Sequence, residues 1–161
     1  IYAIGIDELT GEFNTEVIFS EVITTPAKGV SEAYIEVTFD KYFDGSALAQ
    51  KYPQEFGDAT GYAVVPLKVT KHGDVAQFWY DVYSDDLSDT TYPTDLDLII
   101  DLQINGIANK EYTYAYCDYS TILTLASFCK DSEDNDSAVT RNVFRVLDSG
   151  VSPVDEFEFF E

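Results

Sequence analysis

The sequence predicts an all-β chain, an antiparallel two-sheet β-sandwich in immunoglobulin-like or jelly-roll order with about ten strands. Three observations lead there. Apolar and polar residues alternate along most of the chain, which is the period of a strand with one buried face. The 12 Tyr and 11 Phe stand beside abundant Val and Ile, and such side chains suit a pleated, half-buried surface. Clusters of turn formers recur at short intervals with no long helical pattern between them.

The elements follow in order. Strands are expected near 1–6 and 15–24, before the turn formers Thr25-Pro26-Ala27-Lys28-Gly29. In the next strand Ala33, Ile35, Val37 and Phe39 alternate with polar neighbours. Between 40 and 60 one short helix is expected near 46–52, with Asp44 or Ser46 as its cap and Pro53 beyond its end. Strands near 61–69 and 75–84 flank the turn Lys71-His72-Gly73-Asp74. Leu96, Leu98, Ile100, Leu102 and Ile104 alternate with Asp97, Asp101 and Gln103, which predicts a further strand. Asn105-Gly106 then suits a type I′ turn into a strand near 107–117. Strands near 121–129, 138–147 and 154–160 complete the set, with Asp148-Ser149-Gly150 as punctuation.

A chain of 161 residues fits one domain, and a domain of that size buries roughly 70% of its unfolded surface. No internal repeat or linker divides it, so 1–161 is read as a single β-sandwich domain. The 30 Asp and Glu against 9 Lys and Arg leave a net charge of −21. Such a surface repels nucleic-acid phosphates and anionic lipid, leaving cations, neutral ligands and basic proteins as partners. No stretch approaches the roughly 20 apolar residues of a membrane span. The chain opens at Ile1 and holds no Met, which is the expectation for a processed or excised piece of an exported protein, extracellular or at the cell surface.

No catalytic signature appears, and an enzyme is not expected. The only histidine, His72, falls in a turn, and neither a G-x-S-x-G elbow nor an H-E-x-x-H, P-loop or dinucleotide motif occurs. Among 30 carboxylates, pairs at glycosidase spacing arise by chance and carry no information. Cys117 and Cys129 are expected to form a disulfide, closing a loop whose cross-link is worth about 3 kcal/mol in the chain-entropy account.

Two acidic loops suggest calcium, which takes oxygen ligands from carboxylates and carbonyls. One offers Asp85, Asp86 and Asp89, the other Asp131, Glu133, Asp134 and Asp136. The second is no EF-hand, since Asp136 replaces the turn glycine and Asn142 the bidentate Glu. Two aromatic groups suggest ligand contact: Trp79 and Tyr83 on one face of their strand, and the alternating row Tyr112, Tyr114 and Tyr116. The apolar residues Ile1, Tyr2, Ile4 and Ile6 suit addition to a neighbouring subunit's sheet. Together these features predict an extracellular structural subunit that self-assembles by strand addition into a pilus, fibre, tube or surface layer, stabilised by calcium. The alternative is a secreted or cell-surface binding module that takes carbohydrate or protein on exposed aromatics.

Overall fold

The computed structural model describes residues 29–160 and, ahead of them, a strand pair, β1 (Tyr2–Ala3) and β2 (Ile18–Phe19), with Tyr2 opposite Phe19. Eight further strands form two antiparallel sheets. The first is built on β5 (Ala63–His72). On one edge β5 pairs with β3 (Tyr34–Thr38) and, further along, with the two-residue β4 (Phe43–Asp44); on the other it pairs with β8 (Tyr112–Cys117). The second sheet runs β10 (Thr140–Phe144), β9 (Leu123–Lys130), β6 (Gln77–Tyr83) and β7 (Ile107–Ala108). Gly73, at a φ of +76°, sits in the turn from β5 to β6, a backbone region that glycine enters without steric cost.

The alternation read in the sequence sets the inner faces. Ile35 and Val37 of β3, Val65, Leu67 and Val69 of β5, Phe78 and Tyr80 of β6, and Leu123 and Leu125 of β9 meet in one buried cluster. Each such side chain contributes roughly 1.5–3 kcal/mol by leaving water.

Helices also cover part of each outer face. Helix α1 (Gly45–Lys51) forms where a short helix was expected, and its N-cap is Asp44, whose Oδ1 accepts the Ala47 N–H at 2.8 Å. With α2 (Pro53–Phe56) it places Leu48 and Phe56 against Val64, an outward residue of β5. Gly45 is required there, because a Cβ would lie 2.1 Å from the Ala59 carbonyl oxygen.

The segment around 96–104 is not a strand. It is α3 (Asp95–Asn105), lying on the outer face of β6 and β9, with Leu98 and Leu102 packed on Ala126 and Phe128. A strict two-residue alternation turns by 200° per step on a helix, so alternate residues fall on two opposite faces. One face, Leu98 and Leu102, has the i, i+4 spacing of a helix contact. The capping box of Thr94 and Asp97 decides the outcome: Thr94 Oγ1 accepts the Asp97 N–H at 3.3 Å, and Asp97 Oδ2 accepts the Thr94 N–H at 2.9 Å. Asn105-Gly106 accordingly ends a helix, and the Gly106 N–H donates to the Leu102 carbonyl. The expected strand near 107–117 is divided into β7 and β8.

The expected strand near 154–160 is likewise absent. Residues Val154–Glu156 form a 3₁₀ turn, and the chain beyond lies across α1, α2 and β8 as an aromatic strap. Among the described residues no helix is long and apolar enough to cross a membrane.

Candidate functional site

A single proline opens the cleft beside this strap. The Val69 N–H points at β8, donating to the Glu111 carbonyl at 2.8 Å, so strand alternation aims the even-numbered positions of β5 at the β3–β4 edge. Pro66 is one of these and has no N–H to give. The ladder on that edge breaks there: β3 pairs as far as Lys68 and β4 resumes at Val64. The intervening residues Phe39 to Tyr42 join no ladder.

The strap closes the other side. Lys41 and Glu156 form an ion pair at 2.7 Å, as do Lys51 and Asp155. Phe157 is buried edge-on to Phe43 and Phe56, each with ring centroids 5.2 Å apart. Phe160 stacks over Tyr114 at 5.0 Å and meets Tyr112 at 4.7 Å, while its N–H donates to the Tyr114 hydroxyl at 3.2 Å.

Between these walls lies a cleft of about 330 Å³, at the lower end of the range for small-ligand sites, roughly 300–1,000 Å³. Phe39, Phe43, Pro66 and Phe160 supply its apolar surface, and Asp40, Lys41, Lys68, Glu156 and Glu158 its charges, with Thr38 adding a hydroxyl. The hydrogen bond that Lys41 donates to Glu156 holds its ammonium above the ordinary pKa, so the amine stays charged. The cleft thus sets hydrogen-bond donors and acceptors around an aromatic ring.

The two acidic loops have another organisation. Arg141 of β10 reaches into the first, donating from Nη1 to the carbonyls of Leu87 (2.9 Å) and Asp89 (3.0 Å), and from Nη2 to the Pro93 carbonyl (3.0 Å) and Asp95 Oδ1 (2.6 Å). The carboxylates serve the backbone: Asp85 accepts the Asp86 N–H, Asp86 the Ser88 N–H and Asp89 the Thr91 N–H, and the Ser88 and Thr91 contacts hold the Asp86 and Asp89 carboxyls below their usual pKa. In the second loop Asp131 accepts the Asn135 and Glu133 N–H groups, while Lys130 pairs with Asp134 at 2.7 Å and approaches Asp136 at 3.6 Å. Among the described residues no three His, Cys, Asp or Glu side chains converge as a metal site.

The disulfide expectation is corrected. Cys117 on β8 and Cys129 on β9 are free, buried thiols on the facing sheets, each filling the common core as a small apolar side chain. Burial pushes Cys117 up to about 12 and raises Cys129 as well, which makes both poor nucleophiles.

Trp79 and Tyr83 lie under α3 rather than on a free face. Trp79 stacks on Phe128 at 5.0 Å, and the Tyr83 hydroxyl donates to Asp101 Oδ2 at 2.6 Å. The tyrosine row shares one face, as its alternation predicts, and that face is the outer one, with Tyr112 and Tyr116 exposed and Tyr114 largely roofed by the strap. Of the residues expected at a subunit interface, Tyr2 lies in β1, while Ile1, Ile4 and Ile6 lie outside the described residues. The cleft residues Phe39, Lys41, Lys68, Glu156, Glu158 and Phe160 carry no sequence motif and were missed; Pro66, a proline inside a strand-like run, is the signal that could have found them.

Compared with protein-family models, curated proteins and solved structures, the chain matches none.

Proposed function

We propose that this chain is an exported, non-catalytic carbohydrate-binding module on a β-sandwich scaffold. The observation that carries the reading is the cleft, in which the Phe160 ring stands beside two amines and three carboxylates. An anionic ligand would meet Glu156, Glu158 and a chain of net charge −21, and a cationic one would meet Lys41 and Lys68. A neutral polyhydroxy ligand satisfies both sets, because each hydroxyl donates and accepts, while the C–H face of a sugar ring stacks on an aromatic ring. Catalysis has no comparable support. Asp81, whose carboxyl is raised by burial, lies on β6 beneath α3 and not in the cleft.

Titration calorimetry against neutral mono- and oligosaccharides tests this reading. The chain should bind at least one of them, and Phe160→Ala or Lys68→Ala should weaken binding about tenfold, equivalent to about 1.4 kcal/mol. Phe160→Ala leaves the buried Phe157 in place, so the scaffold persists. Equal binding by both variants would contradict the site.

Self-assembly by strand addition is the second reading, favoured by one observation: β10 ends its sheet with no further strand on its outer edge among the described residues. Light scattering with and without calcium, on the whole chain and on a chain lacking residues 1–8, separates the two. The binding-module reading predicts a monomer throughout; large calcium-dependent particles that vanish on truncation would establish the assembly reading.

A further inference from the structure

Helix α3 is apolar on two opposite faces. Leu98 and Leu102 are buried on the sheet, while Leu96, Ile100 and Ile104, spaced i, i+4, i+8, form a second row that is 65%, 49% and 74% exposed. Isolated exposed aliphatics are ordinary, but three in one row on an amphipathic element mark a docking surface, since a helix apolar all round is normally buried all round.

Charge decides what can cover it. The helix carries Asp95, Asp97 and Asp101 and no basic residue, and Asp97 and Asp101 border the row on one side by helical geometry. Arg141, the cation next to Asp95, is itself buried, with a side chain 5% exposed. A second copy of the chain would bring the same carboxylates into a low-dielectric contact, where like charges repel strongly.

We propose that the outer face of α3 docks an amphipathic segment of a basic partner protein, which lays an apolar ridge on Leu96, Ile100 and Ile104 and sets Lys or Arg against Asp97 and Asp101. The surface lies on the opposite sheet from the cleft, so the two sites are independent.

The probe is a synthetic 18-residue amphipathic helix with one leucine face flanked by lysines, beside a control with glutamine for each lysine. Binding is followed by fluorescence anisotropy at low and moderate salt. The lysine peptide should bind at least tenfold more tightly than the glutamine peptide and weaken as salt rises. The triple variant Leu96→Ser, Ile100→Ser, Ile104→Ser should bind at least tenfold less than the native chain while unfolding at a similar temperature. Ile100→Ala, which keeps the helix, should give an intermediate loss. Equal binding by native and triple variant would overturn the proposal. So would a native dimer that Ile104→Ser dissociates, which would place a second copy on the face, or binding that appears only once residues 1–28 are removed, which would place the chain's own leading segment there.

Discussion

Arg141 brings a positive charge into the first acidic loop. Its guanidinium ties β10 to the loop before α3 through three carbonyls and Asp95, a fork that a lysine ammonium cannot reproduce. Arg141→Ala should cost about 2 kcal/mol in denaturant unfolding, because the partly buried Leu87 and Pro93 carbonyls lose a charged donor, and Arg141→Lys should recover only a small part. Asp81 makes the opposite kind of contribution. Burial, and then Asp101, raises its carboxyl above 3.8. A raised carboxyl favours the fold most below the unfolded value, and that advantage is lost as pH rises through the folded value. Asp81→Asn should therefore stabilise the protein at pH 7, by roughly 1 kcal/mol or less, and the gain should vanish under acid conditions where Asp81 is protonated in both states. A variant less stable than the native chain at pH 7 would contradict this origin. Neither arginine nor aspartate announced its role in the sequence, because each acts through carbonyls and burial brought by distant segments.

At the scale of elements, the strands were legible where one face is buried and one is not, as in β3, with Ile35 and Val37 in and Tyr34, Glu36 and Thr38 out. They were also legible in β9, whose unbroken burial reflects cover on both faces. The short helix was legible through Asp44 and Pro53. The segment 95–105 was not, because the alternation that signals a strand also makes a helix with two apolar faces, and the Thr94–Asp97 cap was the local feature that distinguished them. The C-terminal strap was misread for a related reason: Phe157 and Phe159 alternate with Glu156 and Glu158 as in a strand, yet the rings of Phe157, Phe159 and Phe160 interlock with Tyr52, Phe56 and Tyr114 and the backbone joins no ladder. Phe157→Ala should destabilise by about 3 kcal/mol, the usual scale for emptying a buried phenylalanine site, measured by urea unfolding.

At the scale of the whole molecule, helices on the outer faces change what the surface offers. The expected platform at Trp79 and Tyr83 is roofed by α3, and the middle of the tyrosine row is roofed by the strap. The cleft arises where Pro66 interrupts the edge of one sheet and the strap returns beside it. Its residues come from 38–43, 66–68 and 156–160, segments that only the folded topology brings together, so composition pointed to a ligand class without locating the site. We propose that a neutral sugar binds there. Amide chemical shifts, recorded while a saccharide found by calorimetry is titrated into the labelled chain, test it most directly. Sugar binding in the cleft predicts saturable shifts at Phe39, Lys41, Lys68, Glu158 and Phe160 and none along α3; shifts confined to Tyr62 and Tyr116 or to α3, with the cleft amides unmoved, would contradict it.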